Sequence, residues 1–411
     1  YPRETSAWVW TGEDMNLLSQ LLFLLFQSLG EWLLTPFFYV TVLLIGWRNI
    51  QLVREEREML HLRLHAPFVR TARQLLEGVL ISFLISAVLL AIGVVFSAQG
   101  FALLWGAALL LFLVRRRLQP VYGAFALFWL AGVLLPLGPW KESQIWWIDA
   151  FQETHWPSWL VLLGLLQLAE AWMFRRDVRR HAFPLIFQGR RGLPIGGYRM
   201  EGWWPLPLLV WGPAMDGGLS FSNAGWPFFA WADVTLTMIP LPLYIGAGVA
   251  SKALFPAQQA SWWVRRRLAG GLLALILAVA GQVWPGFAGI CVFLFLLWES
   301  GVWAAHYWRE RNADPLFVPD KRGLKVLAVL PESAAEALGI QPGEVVTRVN
   351  GQPVHSASQL YHAVQANPAF CKLEVLDRHG EVRFLQRALY EGEHHQLGII
   401  PVPSDRRNRS S

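Results

Sequence analysis

Leu84-Ile85-Ser86-Ala87-Val88-Leu89-Leu90-Ala91-Ile92 carries no polar face. Such a run belongs in lipid or in the interior of a helix bundle. The rest of the chain repeats the pattern. Of 411 residues, 54% are hydrophobic and only 16% are charged, against about 25% charged in a soluble globular domain. The 23 Trp and 25 Phe are many for this length, and many Trp stand beside charged loops, where amphipathic rings settle at the lipid headgroups.

Outward from this run, the apolar stretches predict a polytopic α-helical membrane bundle. Residues 17–29 are apolar but short and are followed by Glu31, which predicts a helix lying in the interface. Spans are expected at 33–47, 75–96, 101–114, 121–137, 158–174, 228–250, 268–284 and 287–305. Residues 203–214 are apolar over only two-thirds of a spanning length, so the count is eight or nine. After the first span, Gln51 to Arg63 forms a charged amphipathic helix with opposite charges at i,i+3 and i,i+4. Met15 reads as a natural protein beginning, with the preceding residues an over-extended start.

Charge decides orientation. If 203–214 crosses, the Arg-rich segments 48–73, 115–117, 175–199 and 252–267 all fall on one side, and the opposite loops hold Lys141 alone. The positive-inside rule places the Arg-rich side in the cytoplasm, and the last span exits there. The formal charge of +6 and pI near 9.5 therefore reflect topology. A nucleic-acid partner is not expected, because that binding needs a continuous basic face. Cys291 and Cys371 are too few for a disulfide framework and have no metal-ligand neighbours.

Beyond Arg311 the composition turns to Pro, Asp and Gly, so 309–322 reads as a linker. The resulting organisation is an N-terminal segment 1–32, a transmembrane domain 33–308, the linker, a soluble α+β domain 323–403 and a basic tail 404–411. Within the soluble domain, Val329-Leu-Pro-Glu-Ser-Ala-Ala-Glu-Ala-Leu-Gly339-Ile-Gln-Pro-Gly-Glu-Val-Val-Thr-Arg-Val-Asn350-Gly351 resembles the bacterial PDZ signature. The resemblance implies binding of an extended chain by β-augmentation, with backbone N–H groups receiving a terminal carboxylate. Gln396-Leu397-Gly398-Ile399 is the candidate carboxylate loop, placed at the C-terminal end as in permuted bacterial PDZ domains. Gly398 is expected to admit the ligand backbone. Leu360 and Val364, at i,i+4 on a helix, are the other groove wall or ordinary core positions.

No His-Glu-x-x-His occurs, which argues against a zinc intramembrane protease. Ser220 and His306 offer a conceivable Ser–His pair, although Ser220 reads better as part of a Gly/Ser/Asn-rich turn. His394-His395 lacks further ligands, so no metal or other cofactor is expected. Glu170, Asp233 and Glu299 are the ionisable groups in or near spans. A transporter usually has several at mid-depth, so hydrogen bonds within the bundle explain these more simply.

The layout as a whole resembles the MinJ-like family of polytopic membrane PDZ proteins in bacterial division-site selection. The stretches that carry it are Trp32-Leu-Leu-Thr-Pro36-Phe-Phe-Tyr-Val40 with the helix through Arg63, the core from Gly323 to Val354, and Phe370 to Ile399. The resemblance implies a non-enzymatic adaptor that links a DivIVA-like coiled coil to a MinD-like ATPase, at the plasma membrane, at septum and poles. Homo-oligomerisation through the bundle is left open. A PDZ-bearing protease, a regulator of one, or a transporter is the alternative.

Overall fold

In the computed structural model, the described residues are 17–60, 66–114, 120–135, 138, 154–189, 192–214, 219, 228–229, 235–367, 369–389 and 397–403. The bundle comprises α1 (Leu17–Leu34), α2 (Pro36–Leu60), α3 (Pro67–Ile92), α4 (Ala98–Val114), α5 (Pro120–Leu134), α6 (Trp156–His181), β1 (Phe183–Gln188), β2 (Pro194–Pro213), β3 (Leu236–Ser251), α7 (Pro256–Val283) and α8 (Ala288–Asn312). Among the described residues, five stretches, one on each of α2, α3, α6 and α7 and one from Pro285 through α8, are long and apolar enough to cross a membrane, and α4 and α5 are shorter apolar helices. The lipid-facing side is visible on α3, where Leu76, Leu80, Phe83 and Leu84 are exposed. On α6, by contrast, Leu160, Leu162 and Leu166 are fully enclosed, and this helix is the centre of the bundle.

The expected spans at 228–250 and 203–214 are not helices. Their apolar residues form two long antiparallel strands, β2 and β3, in register from Tyr198↔Ser251 to Pro213↔Leu236. At about 3.4 Å per residue this ladder runs about 50 Å, longer than the hydrocarbon thickness. Trp203, Trp204, Leu206 and Leu208 on β2 and Leu241, Leu243 and Ile245 on β3 are enclosed by helices. An apolar run alone cannot separate a buried strand from a buried helix. The up-and-back hairpin returns the chain to the end from which it set out, although the helical count falls.

Beyond the short β1, which pairs with β2 from Phe183↔Arg199 to Gln188↔Pro194, the ladder is a two-stranded ribbon with two edges whose donors need partners, because an unpaired N–H in an apolar surround costs several kcal/mol. Proline removes them. Pro207 stands opposite Pro242, Pro205 opposite Tyr244, and Leu209 opposite Pro240. Since Pro207 and Pro242 both lack N–H, this pair and its alternate neighbours are the non-hydrogen-bonded kind, whose polar groups face outward. Several of the remaining outward groups find partners in neighbouring segments. Leu209 N–H donates to Ser86 Oγ (2.8 Å) and Ser28 Oγ donates to the Met238 carbonyl (2.8 Å). Phe96 N–H donates to the Trp211 carbonyl (2.9 Å). Gly78 permits the approach of α3, because a Cβ there would lie 2.1 Å from the Pro205 carbonyl oxygen.

Charges assigned to loops are partly internal. Arg267 is a buried residue of α7, not a loop cation; it pairs with Glu299 (2.7 Å) and Glu170 (3.5 Å). Tyr122 OH donates to Glu170 (3.2 Å) and Gln167 to Glu299 (2.6 Å). Arg48 likewise holds Glu201 of β2 through Nε and Nη2 at 2.5 and 2.7 Å, and Arg70 donates to the Glu201 carbonyl. Asp233, Lys141 and residues 1–16 lie outside the described residues.

α1 is a full helix with Leu24 packed against Trp211 and Met238 of the hairpin, so it is attached to the bundle. α8 extends to Asn312, past the boundary expected at 308. The residues read as a linker are tied to the hairpin. Leu316 N–H donates to the Lys252 carbonyl (3.0 Å), and the Phe317 carbonyl accepts from Gly196 N–H (2.7 Å).

Candidate peptide-binding groove

The C-terminal domain is built from β4 (Leu324–Val329), α9 (Ala334–Ala337), β5 (Val345–Val349), β6 (Gln352–Pro353), α10 (Ala357–Gln365), β7 (Phe370–Leu376), β8 (Val382–Ala388) and β9 (Ile399–Pro401). Its sheet has the order β8-β7-β5-β4-β9, which leaves the last strand in sequence on the edge beside β4. Local chemistry sets the frame. Ser333 caps α9 and Ser356 caps α10 by accepting from Glu336 N–H and Gln359 N–H. Asn350 and Gly351 take positive φ in a tight turn. Asn350 also bridges α10 and β7, donating to the Ala363 carbonyl (2.9 Å) and accepting from Lys372 N–H (2.9 Å).

Leu360, Val364 and Leu397 meet in one buried cluster, with Ile399 packed against it. Four of the six candidate residues thus belong to or pack against one core cluster, and Gly398 lies between two of them in sequence. Gln396 lies outside the described residues, as do His394 and His395. Leu360 and Val364 are buried without a ligand, so they serve the domain core.

The backbone at 397–399 has a defined polarity. The Leu397 carbonyl accepts from Ala335 N–H (2.8 Å) and the Gly398 carbonyl accepts from Leu330 N–H (2.8 Å). In a planar trans peptide the N–H points opposite to the carbonyl that precedes it. The N–H groups of Gly398 and Ile399 therefore both turn away from α9 and β4, and two successive amides so aimed form an anion-binding concavity. Gly398 has φ +84°, and a Cβ there would sit 2.2 Å from Ser333 Cβ. The close approach that this glycine permits within the chain is to the cap of α9.

The opposite face of the same ribbon is seated on the bundle. Leu324 and Val326 of β4 and Leu397 face the domain core, whereas Leu327 and Val402 form a second buried cluster with Tyr198 and Phe317. A β-bulge between Val326 and Ala328 frees the Leu327 carbonyl, and Tyr198 OH donates to it. Phe317 lies edge-on to Tyr198 (5.4 Å) and to Phe255 (5.5 Å). Arg378 stacks 4.2 Å over the Phe255 ring. Sequence reasoning missed Tyr198, Phe255 and Phe317; the only available signal was three aromatics flanking Arg-rich segments.

Of the alternative Ser–His pair, His306 and the neighbour of Ser220 lie towards opposite ends of β3. Leu219, next to Ser220, pairs with Leu236 at the far end of β3, whereas His306 lines a cavity with Gly248 and Ala250 near its other end. Twelve strand residues, about 40 Å, separate Leu236 from Gly248. Ser220 itself lies outside the described residues. Among the described residues no cluster of three or more His, Cys, Asp or Glu is arranged for a metal.

A PDZ-domain family model matches residues 325–378, which covers β4 to the start of the β7–β8 turn. The chain is 28% identical over 393 residues to the cell division topological determinant MinJ of Bacillus subtilis (strain 168), spanning 94% of this chain and 97% of that protein. It is 27% identical over 317 residues to the probable cell division topological determinant MinJ of Lacticaseibacillus paracasei, over 73% of this chain and 83% of that protein. With a helical bundle bearing several candidate spans and a terminal PDZ domain, the chain is similar over nearly its whole length to the MinJ cell division topological determinants.

Proposed function

We propose that the chain is a non-enzymatic membrane scaffold whose PDZ domain faces the cytoplasm and recruits division regulators, bridging a DivIVA-like coiled coil to a MinD-like ATPase at septum and poles. One observation carries this reading: the PDZ domain is seated on the end of the bundle that gathers the arginines. Arg48, Arg70 and Arg199 meet Glu55, Asp177 and Glu201 at that end, and Tyr198 beside them holds β4. Since Arg-rich ends remain inside, the groove is presented to the cytoplasm. A terminal carboxylate would lie on the Gly398 and Ile399 amides, its side chain against Leu360, Val364 and Leu397.

The test has two parts. A cysteine placed at position 57 should resist a membrane-impermeant maleimide in intact cells, while one at position 141 should react. A fluorescent fusion should concentrate at septum and poles, and substitution of Leu360 by Asp should disperse the partners while leaving the membrane signal intact. A uniform membrane signal for the native fusion, or labelling at position 57 from outside, defeats the scaffold reading.

A further inference from the structure

The edge strand β9 is blocked to long ligands by its own sequence. The Gly398 carbonyl accepts from Leu330 N–H and Val402 N–H donates to the Lys325 carbonyl (2.9 Å), so residues 398 and 402 are tied to β4 through these groups. Ile399 and Pro401, which alternate with them, stand opposite Val329 and Val326 in non-hydrogen-bonded register. The groups aimed at an incoming chain are therefore those of residues 399, 401 and 403. The last two are prolines. Only Ile399 retains an N–H, and each proline withdraws the donor that the next ladder step requires.

The strand cannot slip to present other residues. Val402 is buried in the cluster with Tyr198, Phe317 and Leu327, and Ile400 packs against it. A one-residue shift would exchange the core face for the bundle face. The same device protects the membrane hairpin, where prolines 205, 207, 240 and 242 occupy outward positions of its edges.

We infer that this groove takes only the end of a chain: a free carboxyl terminus held on the Gly398 and Ile399 amides and read over its last two or three residues, with internal strands and upstream tail residues contributing nothing. The inference rests on the peptide-binding reading above. It narrows the partner class to proteins with accessible C-termini and excludes partners that would dock an internal β-strand.

The experiment uses the full chain in nanodiscs and a pooled library of eight-residue peptides with free carboxyl ends, with amidated and N-terminally trimmed versions of each binder. For the native chain, trimming to the last three residues should change affinity less than threefold, and amidation should abolish binding. The double variant P401V/P403V should bind eight-residue tails more tightly, by about two- to tenfold for each ladder hydrogen bond restored, and should gain a dependence on tail length. A native chain that loses tenfold on trimming, or that binds amidated or internal segments equally well, overturns the inference alone. Failure of both native and variant chains to bind any free tail overturns the peptide reading beneath it.

Discussion

Replacing Phe317 by Ala should release the PDZ domain from the bundle without unfolding it. Phe317 is fully buried and belongs to the cluster of Tyr198, Leu327 and Val402, separate from the PDZ core. Truncating a fully buried Phe costs about 3–5 kcal/mol. Here that cost falls on docking, because the ring touches Tyr198 and Phe255 across the junction. At about 1.4 kcal/mol per decade, the undocked population should rise by about two to three and a half decades. Tyr198→Phe, which removes only the hydroxyl donor to Leu327, should give a milder effect of about one decade or less. Hydrogen exchange in nanodiscs reads this directly. Amides around Leu327 and Val402 should lose protection while those of Val349 and Val375 in the core keep theirs, and residues 313–322 should become open to protease. Unchanged protection at Leu327 and Val402, or loss across the whole domain, would refute this division of the energy.

Pro207→Ala should destabilise the bundle by about 1–3 kcal/mol despite removing a proline from a strand, because it adds an unpaired donor to an enclosed ribbon edge; thermal unfolding in nanodiscs should show it, with Pro213→Ala near the ribbon's end close to neutral. Arg267→Met leaves Glu170 and Glu299 facing each other without their shared cation, and a loss of about 3–5 kcal/mol is expected. It should be read as a lower melting temperature, partly recovered on adding Glu299→Gln. Gly398→Ala should weaken the PDZ domain by about 2–4 kcal/mol through positive φ and the collision with Ser333. Adding Ser333→Gly should recover the collision share in denaturant titration, and its failure to do so would mean the strain lies elsewhere. Burial pushes the Cys371 thiol up to about 11, so at pH 8 about a thousandth is thiolate. Alkylation should be slow in the folded chain, accelerate as pH rises toward that value, and become rapid on unfolding.

Much of this architecture is visible in the residues because local chemistry and global fold agree there. The PDZ domain declares itself through ordered Gly, Pro and Asn-Gly positions that only one backbone satisfies. The helices follow from unbroken apolar length. The hairpin is hidden because 228–250 and 203–214 satisfy the composition of a span, and what betrays them is subtler: Pro205-Leu-Pro207 and Pro240-Leu-Pro242 place prolines two apart, which no continuous helix accommodates but an outward strand edge does. Arg267 reads as a loop cation because its two carboxylate partners lie on other helices. The junction at Phe317 is illegible for a similar reason, since composition marks 309–322 as a linker and gives no sign that Gly196 and Lys252 bind it. The candidate loop at 397–399 is legible as glycine chemistry, but the reason for the glycine emerges only once Ser333 stands against it.

The enclosed hairpin also constrains biogenesis. A helix can leave the insertion machinery sideways as soon as it is made, since its backbone satisfies itself. The strands β2 and β3 cannot, because their outward groups must find Ser28, Ser86 and Phe96 on segments already made, and the helices α7 and α8 that complete the bundle are made only afterwards. Nascent chains stopped at position 190 should already hold α1 to α6 in the membrane, whereas chains stopped at 255 should carry a hairpin still open to protease. A beam of β-structure enclosed in this way is expected to be sealed late, after α7 and α8 have been made.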